Sequence, residues 1–328
     1  MNRARLFAVL VVVCLLASAA AIAVAVLQAR PGEASGGASG ALASARDAGR
    51  PVMVFRSLAD GTRDQVGIVP TAASSGGTSI SALRCERVHI DEGSGICVAR
   101  GSGFAAGYRA RIFDADLRVR AELELAGIPS RARVSRNGRV GAVTMFVTGH
   151  SYAAAGAFST QTSLIDLRTG QAIAELEDFT VSRAGRVVTA QDVNFWGVTF
   201  DPDGDHFYAT LATGGRTYLV RGSIRDRSMR TLHENVECPS LSPDGTRIAY
   251  KKRVGSGETP WRLTVLDLAT MRETPLSEPS GYDDQAEWLD DEHVLYGLDG
   301  EVRVAAADGS GTAQRFRADA DSPAVLRW

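Results

Sequence analysis

Aromatic residues make up only 7% of this 328-residue chain, cysteines number four, and neither charge sign dominates, with 38 acidic against 36 basic side chains. A balance this even projects no field that would gather nucleic acid or an anionic lipid surface. The five histidines (His89, His150, His206, His233 and His293) are scattered, and none has a second His or Cys at ligand spacing, so the usual zinc patterns are excluded. No Gly-x-Ser-x-Gly elbow occurs, which removes the commonest signature of an α/β-hydrolase nucleophile. With no catalytic constellation, cofactor motif or metal-ligand set to read, the chain is not expected to be an enzyme.

What the sequence has is a repeated turn. Ser242-Pro-Asp-Gly245 stands between two short apolar segments, and the Asp-Gly pair lets the backbone reverse direction with positive φ at the glycine. Degraded copies occur at Asp203-Gly204, Asn137-Gly138 and Glu92-Gly93, and at Asp290-Asp291 without the glycine. Positions 92, 137, 203, 244 and 291 are 45, 66, 41 and 47 residues apart. Four short strands per interval of about 40 to 45 residues is the period of propeller blades. Residues 52–57, 65–70 and 78–83 supply three strands of a blade lacking an inner strand, and residues 322–328 at the other end of the chain supply it. The expectation is an all-β, six-bladed propeller whose C-terminal strand closes the first blade, removing exposed sheet edges.

Pro239 to Tyr250 nearly meets the consensus of WD40-like (PD40) repeats, and on these residues the chain resembles the TolB-type six-bladed propellers. Asn194 to Phe200, Ala209 to Tyr218 and Glu234 to Arg253 bring it nearer to membrane-anchored TolB-like proteins of actinobacteria. The resemblance covers residues 52–328 and implies a docking propeller of the cell envelope rather than an enzyme. TolB proper carries a separate α/β domain ahead of its propeller, for which this chain shows no counterpart.

Ahead of the propeller, Arg3 and Arg5 precede an apolar run of 22 residues, Leu6 to Leu27. As a helix this run would be about 33 Å long, enough to cross a bilayer. The arginines would hold the N-terminus in the cytoplasm. Residues 1–28 are therefore expected to be one N-terminal transmembrane helix, a cleaved signal peptide being the alternative because Ala17-Ser18-Ala19 fits a processing site. Residues 29–50, rich in Gly, Ala and Ser, read as a flexible linker, and residues 51–328 as the propeller. The expected location is the bacterial plasma membrane, single-pass, with the propeller outside the cytoplasm.

Cys85 and Cys97 are symmetric about Asp91, so a hairpin turning there would bring them together as a disulfide, as an oxidising compartment allows. Cys238 is expected to be buried on an inner strand. Asp201, Asp203 and Asp205 resemble the start of a calcium loop without its closing Glu and read as turn residues. Asp283, Asp284, Asp290, Asp291 and Glu292 read as a solvated rim, and Lys251-Lys252-Arg253 as a solvated loop.

The long second interval, of 66 residues, places two insertions in blade three, 148–162 and 177–194, the second with an extra hairpin over 181–188. Insertions in repeat folds form loops on one face, often the binding face. His150, Tyr152, Phe158, Arg183 and Arg186 are therefore the candidate binding residues. The leading expectation is a non-catalytic module that binds an envelope protein or peptide, is held to the membrane by its N-terminal helix, and takes no nucleic acid. The alternative is a propeller hydrolase or lyase with its site in the central channel. A binding platform needs exposed apolar groups among its loops, and an enzyme needs converging ionisable groups at a channel mouth.

Overall fold

The structure, a computed structural model, describes residues 35–72, 77–101, 106–147, 159–256, 259–279 and 281–328. The expected transmembrane helix lies outside these residues, and among them no helix is long and apolar enough to cross a membrane.

Six sheets, antiparallel within each blade, are arranged around a ring. Blade one holds β1 (Val52–Ser57), β2 (Gln65–Pro70) and β3 (Ser79–Arg84), and blade two holds β4 (Arg87–Asp91), β5 (Ser94–Arg100), β6 (Tyr108–Asp114) and β7 (Val119–Leu125). Blade three contains β8 (Ile128–Val134), β9 (Val140–Val147), β10 (Ser159–Asp166) and β11 (Gln171–Glu175). A hairpin, β12 (Thr180–Arg183) and β13 (Arg186–Val187), precedes blade four, which comprises β14 (Asn194–Phe200), β15 (His206–Thr213), β16 (Arg216–Ser223) and β17 (Ser228–Glu234). Blade five contains β18 (Glu237–Leu241), β19 (Arg247–Arg253), β20 (Trp261–Asp267) and β21 (Glu273–Pro275). Blade six contains β22 (Glu287–Trp288), β23 (His293–Leu298), β24 (Glu301–Ala306) and β25 (Gln314–Ala318), after which β26 (Ala320–Leu326) pairs with β1 and closes the ring.

Blades bury both faces against their neighbours, so middle strands carry continuous apolar runs such as Val52-Met-Val-Phe55 rather than strict alternation. Six apolar clusters result, one at each blade-to-blade contact. Turn chemistry fixes the inner hairpins. Asp244 Oδ1 accepts the Thr246 amide at 3.0 Å, Asn137 Oδ1 accepts the Arg139 amide at 3.1 Å, and Gly245 sits at φ 73°. Asp203 likewise accepts the amides of Asp205 and His206, and Asp201 that of Asp203, while Asp205 accepts the Arg225 amide and the Ser223 hydroxyl of the neighbouring turn. His206 and His293 occupy equivalent places, each ring bonded to the aspartate three residues before it.

The linker expectation needs correction. Residues Ser35–Asp47 form a helix, α1, whose Ala38, Leu42 and Ala45 are buried in the cluster between blades one and two. Their i, i+4, i+7 spacing puts the three on one helical face. A single leucine among Gly, Ala and Ser gives little signal in the sequence, and it is burial against the propeller that holds this helix.

Cys85 and Cys97 form the expected disulfide, with Cα atoms 5.2 Å apart. The register differs from the expected one: Asp91 pairs with Ser94 and Val88 with Cys97, leaving Cys85 in the bend between β3 and β4. Cys238 is buried on β18.

The added hairpin forms as expected, with Ser182 paired to Val187, but β12 joins blade four rather than capping blade three. It runs parallel to β17 and extends that sheet to six strands, leaving β13 as the edge.

Candidate ligand-binding face

Blade topology divides the molecule into two faces. The inner strands of blades two to five end in Asn-Gly, Asp-Gly or Glu-Gly turns and that of blade six in Asp290-Asp291, so these turns and the turns before the outermost strands lie together on one side, the turn face. Connections between blades and between the two middle strands lie on the other side, the loop face. Of the longer connections among the described residues, those after β11, β19 and β21 are of the second kind, whereas those after β2 and β24 lie on the turn face.

Two of the three most exposed large apolar side chains among the described residues stand at the loop face, and the third lies on the outer edge of the blade-four sheet. Val254 is 63% and Ile128 62% exposed at the loop face, and Val187, 61% exposed, lies on β13 of the added hairpin. Ile128 pairs across the sheet with Phe146, which is also exposed.

Of the candidate residues, His150, Tyr152 and Phe158 lie outside the described residues. Arg183 and Arg186 face each other across the hairpin. Arg183 donates to the Tyr218 hydroxyl at 2.9 Å and lies 5.3 Å above that ring, while Arg186 is exposed. Beside Arg183 opens a pocket of about 480 Å³, lined by Val188, Asp192, Gly214, Arg216, Tyr218 and Glu234 among others. Asp192 accepts from Thr213 Oγ1 at 2.6 Å and from the Gly214 amide at 2.7 Å, bonds that hold its carboxyl below the usual range and anchor the end of the insertion.

The start of that insertion is pH-sensitive. Burial pushes the Glu177 carboxyl up to about 8 from an ordinary 4.5, although it accepts the Thr162 amide at 3.1 and 3.2 Å. The folded state therefore keeps a proton that the unfolded chain releases above about 4.5, so stability falls as pH rises from there to about 8. Because the side chain is partly exposed, the effect is discounted to on the order of 1–2 kcal/mol. Glu177→Gln is expected to flatten this stretch of the profile, measured by urea midpoints at pH 5 and pH 9; an unchanged slope would show that Glu177 does not carry it.

The central channel is crossed by side chains that sequence reasoning missed. Arg133 is buried and bonded to the Glu287 carboxylate, to Ser240 Oγ at 3.3 Å and to the Ala286 carbonyl at 3.0 Å. Its guanidinium lies 3.0 Å from His89 Nε2, while His89 Nδ1 accepts the Val134 amide at 3.2 Å. Burial and the neighbouring Arg133 lower the His89 pKa, so its imidazole is neutral. Burial works to raise Glu287, but Arg133 and His89 overcome it and bring the carboxyl to about 2. Among the described residues, no three His, Cys, Asp or Glu side chains converge closely enough to hold a metal ion. At the turn-face mouth, beside Asp91 and Arg327, the free space is only about 30 Å³. Burial and Glu287 lift Asp91 to about 7.

The loop-face mouth is wider, about 370 Å³, and is lined by Arg87, Tyr282, Asp283, Asp284, Asp299 and Asp321 among others. The acidic stretch 283–292 is thus not one solvated rim. Asp283 and Asp284 stand at this mouth, whereas Asp290 and Asp291 belong to the turn face, with the channel strand β22 between them. Asp283 accepts from Arg131 at 3.1 Å and Lys251 at 2.5 Å. Lys251-Lys252-Arg253 is likewise no loop. The three residues lie in β19, with Lys251 buried and its ammonium 4.1 Å above the Trp261 ring, and Lys252 bonded to Glu273. Trp261 and the acids opposite supply what charged groups need in order to be covered.

The chain matches no protein-family profile and no curated protein. Its fold is that of solved propellers. The structure of TolB from Acinetobacter baumannii is similar at TM-score 0.57 and 18% identity, covering 85% of this chain and 67% of that one. A putative TolB from Agrobacterium tumefaciens is similar at TM-score 0.50 and 12% identity, over 81% of this chain and 88% of that one. A chain of a nidogen/laminin complex aligns at TM-score 0.54 and 10% identity, over 84% and 97% respectively. The protein is a TolB-like six-bladed β-propeller in fold.

Proposed function

We propose that this propeller is a non-catalytic protein- or peptide-binding module of the bacterial envelope, tethered by residues 6–27 and meeting its partner through the loop face. The observation that carries this reading is that the two most exposed large apolar side chains among the described residues, Val254 and Ile128, stand at loop-face connections, with Val187 on the outer edge of the added hairpin. Exposed apolar groups among loops are what a docking surface needs. The Cys85–Cys97 disulfide suits an oxidising compartment outside the cytoplasm. That a chain of similar fold stands in a nidogen/laminin complex accords with a role in protein docking.

The channel enzyme is the second reading, favoured by the ionisable groups His89, Asp91 and Glu287 near one mouth. It is the weaker one, because Arg133, Glu287 and His89 bind one another and leave space for little more than a water.

Arg186→Glu combined with Val187→Asp tests the docking reading at two exposed positions of the β13 edge, where surface substitutions change stability by about 0.5 kcal/mol or less. The expected result is a loss of about tenfold or more in recovery of the partner cross-linked to the full chain, with the melting temperature unchanged. Undiminished recovery would remove the hairpin from the docking surface.

A further inference from the structure

Helix α1 shortens the tether. Seven residues, 28–34, separate the apolar run 6–27 from Ser35, where α1 begins. Fully extended, seven residues span at most about 25 Å. Whatever part of the propeller α1 packs against is therefore held within about that distance of the end of the apolar run.

That part is the edge of blade one. α1 lies against β3 and β2, the outer strands of this blade, and Leu42 enters the cluster to which blade two contributes Val88, Cys97 and Phe113. The far end of the helix is locked to the ring. The Arg50 amide donates to the Ala45 carbonyl and the Gly49 amide to the Arg46 carbonyl, both at 2.9 Å, with Gly49 at φ 59°, the pair of bonds that closes a helix on a left-handed glycine. The next two carbonyls are bonded to the ring: that of Arg50 accepts the Trp328 indole N–H at 3.2 Å, and that of Pro51 accepts the Thr71 amide and hydroxyl, each at 3.1 Å. With its buried face seated and its exit to β1 fastened in this way, α1 moves with the propeller as one body.

Contacts between neighbouring sheets place the six blades around the ring in chain order, so the groove between blades one and two stands opposite the groove between blades four and five. That opposite side carries Val187 on the added hairpin and Val254 on the connection after β19, both exposed, with Ile128 of blade three on the flank. We infer that α1 is an orienting strut, which keeps the blade-one edge of the ring at the bilayer surface and turns blades four and five away from the lipid, towards a partner that approaches from the envelope side. A flexible linker would let any side of the ring meet the membrane, and exposed apolar side chains would then settle against lipid. A short tether fixed at one edge brings that edge to the lipid first and leaves Val187 and Val254 free for a protein. The inference rests on the membrane tether of the docking reading and adds to it which side of the propeller the partner meets.

Energy transfer to the bilayer tests it. The full chain is reconstituted into vesicles of phosphatidylethanolamine and phosphatidylglycerol that carry a rhodamine-labelled headgroup as acceptor. A donor dye is attached at Ala82, exposed on β3 of blade one, or at Arg230, exposed on β17 of blade four. Both are interior positions of an outer strand, so a ring lying flat on the membrane would give equal transfer from the two. Transfer from Ala82 is expected to be at least about twofold that from Arg230, because the tether holds the blade-one edge within about 25 Å of the lipid. A Gly/Ser spacer of about twenty residues between residues 34 and 35 lengthens the tether without touching the fold, and is expected to bring the two efficiencies together. Leu42→Ser, which removes the one large apolar side chain that seats α1, is expected to do the same by freeing residues 28–51. Equal transfer from the two positions in the parent, or a difference that survives the spacer, would overturn the inference. Release of the chain from the vesicles by alkaline carbonate would instead sink the tether of the docking reading, whereas equal transfer from a chain that resists extraction would sink this inference alone.

Discussion

Replacing Glu287 by alanine is expected to destabilise the propeller by about 3–5 kcal/mol, the cost of leaving a buried partner charge uncompensated. Arg133 loses its only carboxylate partner among the described residues and keeps neutral acceptors, the Ala286 carbonyl and Ser240 Oγ. The penalty is large because of position. His89 belongs to blade two, Arg133 to blade three, Ser240 to blade five and Glu287 to blade six, so one guanidinium ties strands from four blades across the channel. Urea unfolding is the measurement, with Arg133→Met plus Glu287→Leu as the control. Removing both charges is expected to recover most of the loss, because an apolar pair avoids the desolvation cost of the ions. A Glu287→Ala protein as stable as the parent would mean that the channel is wet and the pair unimportant.

The same pair sets a pH limit. The Glu287 carboxyl lies at about 2 in the folded protein against an ordinary 4.5. Its contribution is therefore fully present above about 4.5 and is lost as pH falls towards 2, opposite in sign to that of Glu177, which weakens the fold as pH rises.

The second large effect belongs to the disulfide. Substituting Cys85 and Cys97 by alanine is expected to cost about 3 kcal/mol by the loop-closure relation for so short a loop. The bond joins the bend after β3 to β5, and both cysteines pack in the cluster that also buries Leu42 of α1. Opening it therefore loosens the contact between blades one and two together with the helix that covers them. Thermal unfolding with and without reductant reads this directly, and the alanine pair is expected to match the reduced parent. Equal melting of oxidised and reduced protein would show that the cross-link constrains nothing the blades do not already hold.

These two devices differ in how visible they are in the sequence. The disulfide was legible because Cys85 and Cys97 flank one hairpin, and the blades because Asn137, Asp203 and Asp244 each write a local turn. The closing strand followed from counting strands, and β26 lies against β1 as the count required. The channel network was hidden because Arg133 and Glu287 are 154 residues apart and meet only when the ring closes. Lys251 looked solvated for the same reason, since Trp261 and Asp283, which cover it, come from other segments. The site residues were legible only in part. The insertion marked Arg183 and Arg186 as departures from the repeat, but the loop-face mouth is lined by Tyr282 and Asp284 of the connection before β22 and by Asp321 of the closing strand, which carry no local motif.

The central claim, that recognition belongs to the loop face, is tested most directly by photocross-linking from single positions of the full chain in its native envelope. A photoreactive residue is placed at Val254 or Ile128 on the loop face and, in parallel, at Met271 or Val119 on the turn face, all four being exposed. The account predicts one discrete adduct, the same from both loop-face positions and absent from both turn-face positions. An adduct formed from Met271 or Val119 and missing from Val254 and Ile128 would contradict it.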